Sequence, residues 1–310
     1  MLVRHCQQQI LSDVWTRSCL RHFLLEFIGT ALFLLISLSA VLILPAPTGK
    51  LQLDPKMESG QGSLCHLCNI SNQSNLSERM SARNQCNQNI HLTPLSVQSL
   101  GYLQVALVFG LSVAVAAICV GGEVSLNPAV TVAMALNLRL HLWRALLYVI
   151  GQLLGGVASA ALLLGLTRDV TPALNKVAPG VQLHLAVAIE ALAAFQLVLV
   201  VLATVDANLS PIVCNLLVGL SVSLGHLMAV GATGCGMNPA RSFGPAIITL
   251  DFNNHWVFWA GPGLGACLAV ICNDLLLRPR WHHLRDWWSE LKQLYVMTNK
   301  EQQVVLSHCP

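Results

Sequence analysis

The chain has 310 residues, 55% of them hydrophobic and only 10% charged. Soluble domains carry roughly 25% charged residues, so a soluble enzyme and an intrinsically disordered chain are both excluded. A net charge of +3 with no basic cluster also excludes a nucleic-acid-binding protein.

Residues 1–22 are mixed, with Arg4, Asp13, Arg17 and Arg21, and are expected to form a cytoplasmic N-terminal segment without a cleavable signal. The first long apolar run, 23–44, holds one charge, Glu26. Five more follow: 100–120 and 145–166 without charge, 183–205 with Glu190 alone, and 212–230 and 256–273 without charge. Each has about the 20 residues that cross a bilayer as a helix. Only a helix satisfies its own backbone in lipid, and a β-barrel would show ~10-residue alternation instead. The expectation is an all-α membrane protein with six transmembrane helices.

Residues 45–98 are polar and contain three N-glycosylation sequons, at Asn69, Asn72 and Asn75. They predict an extracellular loop. With the N-terminus cytoplasmic, ten Lys/Arg lie on the cytoplasmic side against six outside, in the sense of the positive-inside rule. A fourth sequon, at Asn208, then falls on the cytoplasmic side, where it stays bare. Cys65, Cys68 and Cys86 of the loop predict a disulfide with one thiol left over; a zinc site with His66 or His91 is the alternative.

Two further apolar stretches, 124–138 and 231–250, do not fit the six-helix count. Each contains Asn-Pro-Ala, at 127–129 and 238–240, in the same slot of a three-helix half. The halves also begin alike, with Glu26 in the first run and Glu190 in the fourth. This is the pattern of inverted three-helix repeats: a first repeat over 23–166 and a second over 167–277, with broken helices meeting at the bilayer midplane. Asn caps and Pro starts helices, so each tripeptide opens a half-helix. Two N-termini then bring partial positive charge and the Asn127 and Asn238 donors to one spot. Such a spot suits a neutral solute with lone pairs and disfavours cations. Glu26 and Glu190 are read as structural braces for the backbone before each half-helix, with a proton relay as the rival reading. The pairs Gly151/Gly155 and Gly261/Gly265 fit close helix crossings.

The tail 278–310 is expected to be cytoplasmic. Within it, 281–295 repeats Leu284, Trp287, Trp288, Leu291 and Leu294 at helical spacing. It reads as an amphipathic helix on the membrane interface, with docking on a partner such as calmodulin as the alternative.

The stretches Ser-Leu-Asn127-Pro-Ala-Val-Thr, Gly-Cys235-Gly-Met-Asn238-Pro-Ala-Arg241-Ser-Phe-Gly-Pro-Ala and Asn254-His-Trp-Val-Phe-Trp-Ala-Gly-Pro resemble the aquaporins, in their water-selective branch. The resemblance implies a narrow filter formed by Phe109, His226, Cys235 and Arg241, with Cys235 at the position where mercury blocks water channels. For His226 taken alone, a satisfied core histidine is the competing reading. Ser242 stands where the glycerol-conducting branch has Asp, and Ala246, Phe258 and Trp259 also resemble the water branch. The resemblance further implies homotetramers with one pore per protomer. Two features depart from the family: loop 45–98 is much longer, and the approach to the first Asn-Pro-Ala is slightly shorter and carries Glu123. The function expected is passive water passage with protons and ions excluded. Alternatives are a channel for hydrogen peroxide or glycerol, or a junctional adhesion protein using the outer loop. The membrane segments contain no nucleophile–base set and no metal-ligand cluster, so neither an enzyme nor a cofactor is expected.

Overall fold

The computed structural model describes residues 17–43, 94–121, 124–207 and 209–279. The sequons at Asn69, Asn72, Asn75 and Asn208, the loop cysteines, Glu123 and the tail segment 281–295 lie outside them. Contacts divide the chain into two units, Met1–Leu42 with Gln104–Pro310, and Ile43–Leu103. Of the second unit, residues 43 and 94–103 are described, all helical. The side-chain contacts described below lie within the first unit.

Six described helices are long and apolar enough to cross a membrane. They are α1 (Arg17–Ile43), α2 (Pro94–Val120), α4 (Leu142–Thr167), α5 (Leu183–Asp206), α6 (Pro211–Thr233) and α8 (Val257–Cys272), the last prolonged by a π turn over Asn273–Leu277. Two short helices, α3 (Pro128–Leu136) and α7 (Pro239–Thr249), lie between α2 and α4 and between α6 and α8. At nine and eleven residues they reach only about 14–16 Å, half of a ~30 Å hydrocarbon layer. The described residues are thus all-α, with six spans and two half-helices.

Two helices begin well before their apolar runs. α1 starts at Arg17 and α2 at Pro94, several residues before their runs. Helical hydrogen bonding continues past the hydrocarbon edge, where polar side chains are soluble. Residues 231–233, assigned to the second short stretch by composition, complete α6 instead, and Gly234 closes that helix in a left-handed conformation at φ 74°.

Packing is inverted relative to a soluble protein. Small side chains face inward: Ala106, Ala116, Ala160, Ala186, Ala193 and Ala266 are fully buried, whereas Leu220 and Leu224 are 64% and 60% exposed. In lipid the large apolar residues need no core, and small ones let backbones approach. The two halves repeat this in register. A β-carbon on Gly155 of α4 would come within 2.6 Å of the Phe27 carbonyl of α1. On Gly265 of α8 it would come within 2.9 Å of the Ala191 carbonyl carbon and Phe195 nitrogen of α5. Gly110 and Gly219 face each other across α2 and α6 in the same way. Gly265→Val therefore forces α5 and α8 apart at a cost of ~1–3 kcal/mol or more. A lowered melting temperature of the detergent-solubilised protein is expected; an unchanged one would contradict this crossing.

Candidate functional site

The site starts with the two glutamates, both fully buried. Glu26 Oε1 accepts the Ser125 amide at 2.7 Å, and Oε2 accepts the Leu126 amide at 2.9 Å and Gln152 Nε2 at 2.8 Å. Glu190 repeats the arrangement: Oε1 accepts the Gly236 amide at 2.7 Å and the Thr233 hydroxyl at 2.5 Å, and Oε2 accepts the Met237 amide at 2.7 Å. Non-helical backbone at this depth needs such partners, since lipid supplies none. Gln152 and Thr233 were not singled out in the sequence. Gln152 is the only amide side chain in run 145–166, which is a signal; Thr233, at the end of a helix, has none.

The braced segments end in left-handed residues, Leu126 at φ 53° and Met237 at φ 51°. Such residues cost about 1–2 kcal/mol each outside glycine. The turn they make points each Leu126 and Met237 carbonyl at the opposite half. Asn127 Oδ1 caps α3 by accepting the Ala129 amide at 2.8 Å, while its Nδ2 donates to the Met237 carbonyl at 3.1 Å. Asn238 Oδ1 caps α7 through the Ala240 and Arg241 amides at 2.9 and 3.3 Å, while its Nδ2 donates to the Leu126 carbonyl at 2.8 Å. A side-chain amide has two N–H donors. Each asparagine spends one on the other half and keeps the second.

Both asparagines line a cavity of about 560 Å³. Phe109, His226 and Arg241 line it too, and at its other end so do Arg139, Thr204 and Cys214. The Phe109 and His226 rings lie 4.1 Å apart between centroids, inclined at 32°. The Arg241 guanidinium carbon lies 5.2 Å from the Phe109 ring centroid. Arg241 Nη1 donates to the Ala173 carbonyl at 2.6 Å, in the short 3₁₀ turn Thr171–Ala173. His226 Nδ1 lies 2.9 Å from the Val222 carbonyl, so it carries the proton there, and Nε2 remains without a protein partner, as does Arg241 Nε. Cys235 is fully buried with φ 53° and is not among the lining residues. The structure therefore brings Phe109, His226, Arg241 and the two asparagines onto one cavity and sets Cys235 behind it. Among the described residues no group of three His, Cys, Asp or Glu side chains is placed to hold a metal ion.

Beyond the spans, at the Phe109 side, Lys176 pairs with Asp251 at 3.1 Å. The Asn253 amide and Lys176 hold the Asp251 carboxyl below the usual carboxylate range.

Residues 13–273 match the model of the family described as "Major intrinsic protein". Aquaporin-1 of Homo sapiens is 45% identical over 191 residues, which cover 59% of this chain and 71% of that protein. Aquaporin-1 of Bos taurus is 44% identical over 191 residues, covering 59% and 70%. The X-ray structure of an aquaglyceroporin from Plasmodium falciparum superposes with a TM-score of 0.62 at 20% identity, covering 84% of this chain and 98% of that one, a likeness of fold. Six apolar spans, two capped half-helices meeting at paired asparagines, and a family match over most of the length lead to one conclusion: the chain belongs to the major intrinsic protein family and is a multi-pass membrane channel of the aquaporin type.

Proposed function

We propose that this channel passes water and excludes protons and other ions. The observation that carries the reading is the pair of asparagine amides, each with one N–H left over, on one cavity at the N-termini of α3 and α7. A water there accepts from both amides with its two lone pairs. Its own hydrogens must then point away along the cavity in both directions. A chain of hydrogen bonds running one way through the site is thereby broken, and with it proton hopping. The half-helix N-termini add about half a positive charge each, and the buried Arg241 adds a full one, so cations meet a barrier before and at the midplane.

Phe109, His226 and Arg241, with Cys235 behind them, form the narrow filter in this reading. Ring contact between Phe109 and His226 favours the smallest permeant over glycerol, and 45% identity to human Aquaporin-1 supports the same side. In the membrane, both termini are cytoplasmic, residues 23–166 and 167–277 form the two inverted repeats, and the plasma membrane is the site of action. The 45–98 loop is extracellular and carries glycans at Asn69, Asn72 and Asn75. The protein assembles as a homotetramer with lipid around it, and its tail lies on the cytoplasmic interface.

Stopped-flow shrinkage of proteoliposomes in a sucrose gradient tests the proposal. Water permeability well above that of empty vesicles is expected, with glycerol uptake at background. No gain in water permeability from correctly folded protein overturns it; a gain for glycerol as well moves the reading to a broader neutral solute.

A further inference from the structure

The cavity end away from Phe109 carries a charge cluster that the water-channel reading leaves unused. Arg139, three residues past the end of α3, lines the cavity there with a side chain 21% exposed. Its Nη2 donates to Oδ1 of Asp206, the last residue of α5. The other Asp206 oxygen receives Nη1 of Arg278, which also reaches the Leu202 carbonyl at 3.3 Å. Arg278 caps the π turn that follows α8. Arg139 Nε further donates to Asn137 Oδ1 at 2.7 Å, and Asn137 Nδ2 donates to Asp274 at 2.7 Å. One carboxylate, 16% exposed, thus holds two guanidinium groups that belong to opposite halves of the chain.

What this carboxylate does follows from what remains without it. Arg139 would keep only the neutral Asn137 oxygen among these partners. Its guanidinium, on a long flexible stem, would be hydrated best in the cavity it already borders, beside Thr204 and Cys214. There it would fill a passage meant for single waters. We propose that Asp206 is a positioning residue that pins Arg139 to the wall and so keeps this mouth of the channel open. The proposal rests on the water-channel reading for its role in flow, though not for the geometry it describes. Arg278 holds the carboxylate from behind and fixes its direction toward Arg139.

The test compares wild type, Asp206→Asn, Asp206→Glu and the double variant Asp206→Asn/Arg139→Gln in proteoliposomes, per unit of folded protein. Freed from its charge-assisted bond, Arg139 is expected to cut water permeability about tenfold in Asp206→Asn. Asp206→Glu retains most of it, and removing the guanidinium in the double variant restores it. Wild-type flow in Asp206→Asn, or an equal loss in the double variant, overturns the proposal. A second readout does not depend on permeation. Cys214 is half-buried, lines the same mouth and lies 3.6 Å from the Thr204 carbonyl. Its labelling by N-ethylmaleimide, resolved by peptide mass spectrometry, should slow in Asp206→Asn and recover in the double variant. Equal labelling rates across the set overturn the positioning role. Absence of water flow in wild type would overturn only the water-channel reading.

Discussion

Replacing Glu190 with leucine is expected to abolish the folded protein. The change strips the acceptor from three buried donors at once, the Gly236 and Met237 amides and the Thr233 hydroxyl. Each unpaired buried donor costs ~1–3 kcal/mol, and a whole protein is stable by only about 5–15 kcal/mol. Glu190→Gln is milder. Its Oε1 still accepts, but its NH₂ faces a backbone N–H, leaving about one donor unpaired. The same change at Glu26 should be gentler again. There the buried neighbour Gln152 has an Oε1 without a partner, which can turn to accept from the new amide. Size-exclusion profiles and melting in detergent should therefore rank wild type, Glu26→Gln, Glu190→Gln and Glu190→Leu in falling order. A leucine variant that melts like wild type would show that the bracing of the second half-helix is dispensable.

Removing the buried Arg241 cation is the second large effect. At an effective dielectric of about 20, a cation about 4 Å from the Arg241 guanidinium is raised by ~4 kcal/mol. That is roughly three decades of flux, at about 1.4 kcal/mol per decade. Arg241→Val should release part of this as proton and cation leak, up to the barrier still standing at the asparagines. Asn238→Asp isolates the second barrier cleanly. Aspartate is as good an N-cap as asparagine, so the Ala240 and Arg241 amides remain satisfied. It cannot donate, however, and its charge cancels the positive ends of α3 and α7. The double variant should leak far more than either single one, while water flow persists in all three. Measured with a pH dye inside proteoliposomes under a clamped potential, an unaltered leak in the double variant would remove both groups from the selectivity apparatus.

The architecture was legible because a bilayer leaves few options. Apolar runs of span length with at most one charge can only be helices, and a tripeptide of cap and starter repeated in the same slot can only begin two short ones. Span ends were less legible, since Arg17–Leu20 and the start of α2 are polar or mixed yet continue the helix. At the site, side chains could be named in advance but the backbone could not. Nothing in the identity of Leu126 or Met237 announces a left-handed residue, because neither side chain favours it. The carbonyls of Leu126, Met237 and Ala173, which hold Asn238, Asn127 and Arg241, carry no sequence signature at all. Arg139 and Arg278 were visible only as charges near span ends, where they counted toward topology, and Asp206, a carboxylate, did not enter that count. Their convergence on one carboxylate comes from sequence separations of 67 and 72 residues, beyond any local pattern.

The crossed bonds between Asn127 and Met237 and between Asn238 and Leu126 bear on the order of synthesis. When Asn127 leaves the ribosome, its partner lies 110 residues downstream. The Leu126 carbonyl waits as long, for Asn238. The first half of the chain can insert three spans and a half-helix, but its turn at Leu126 has no finished hydrogen-bond set until α7 arrives. Membrane insertion and completion of the pore are therefore separate events. A chain truncated before Asn238 would sit in the bilayer with a polar turn still open, a ready mark by which quality control can tell half a channel from a whole one.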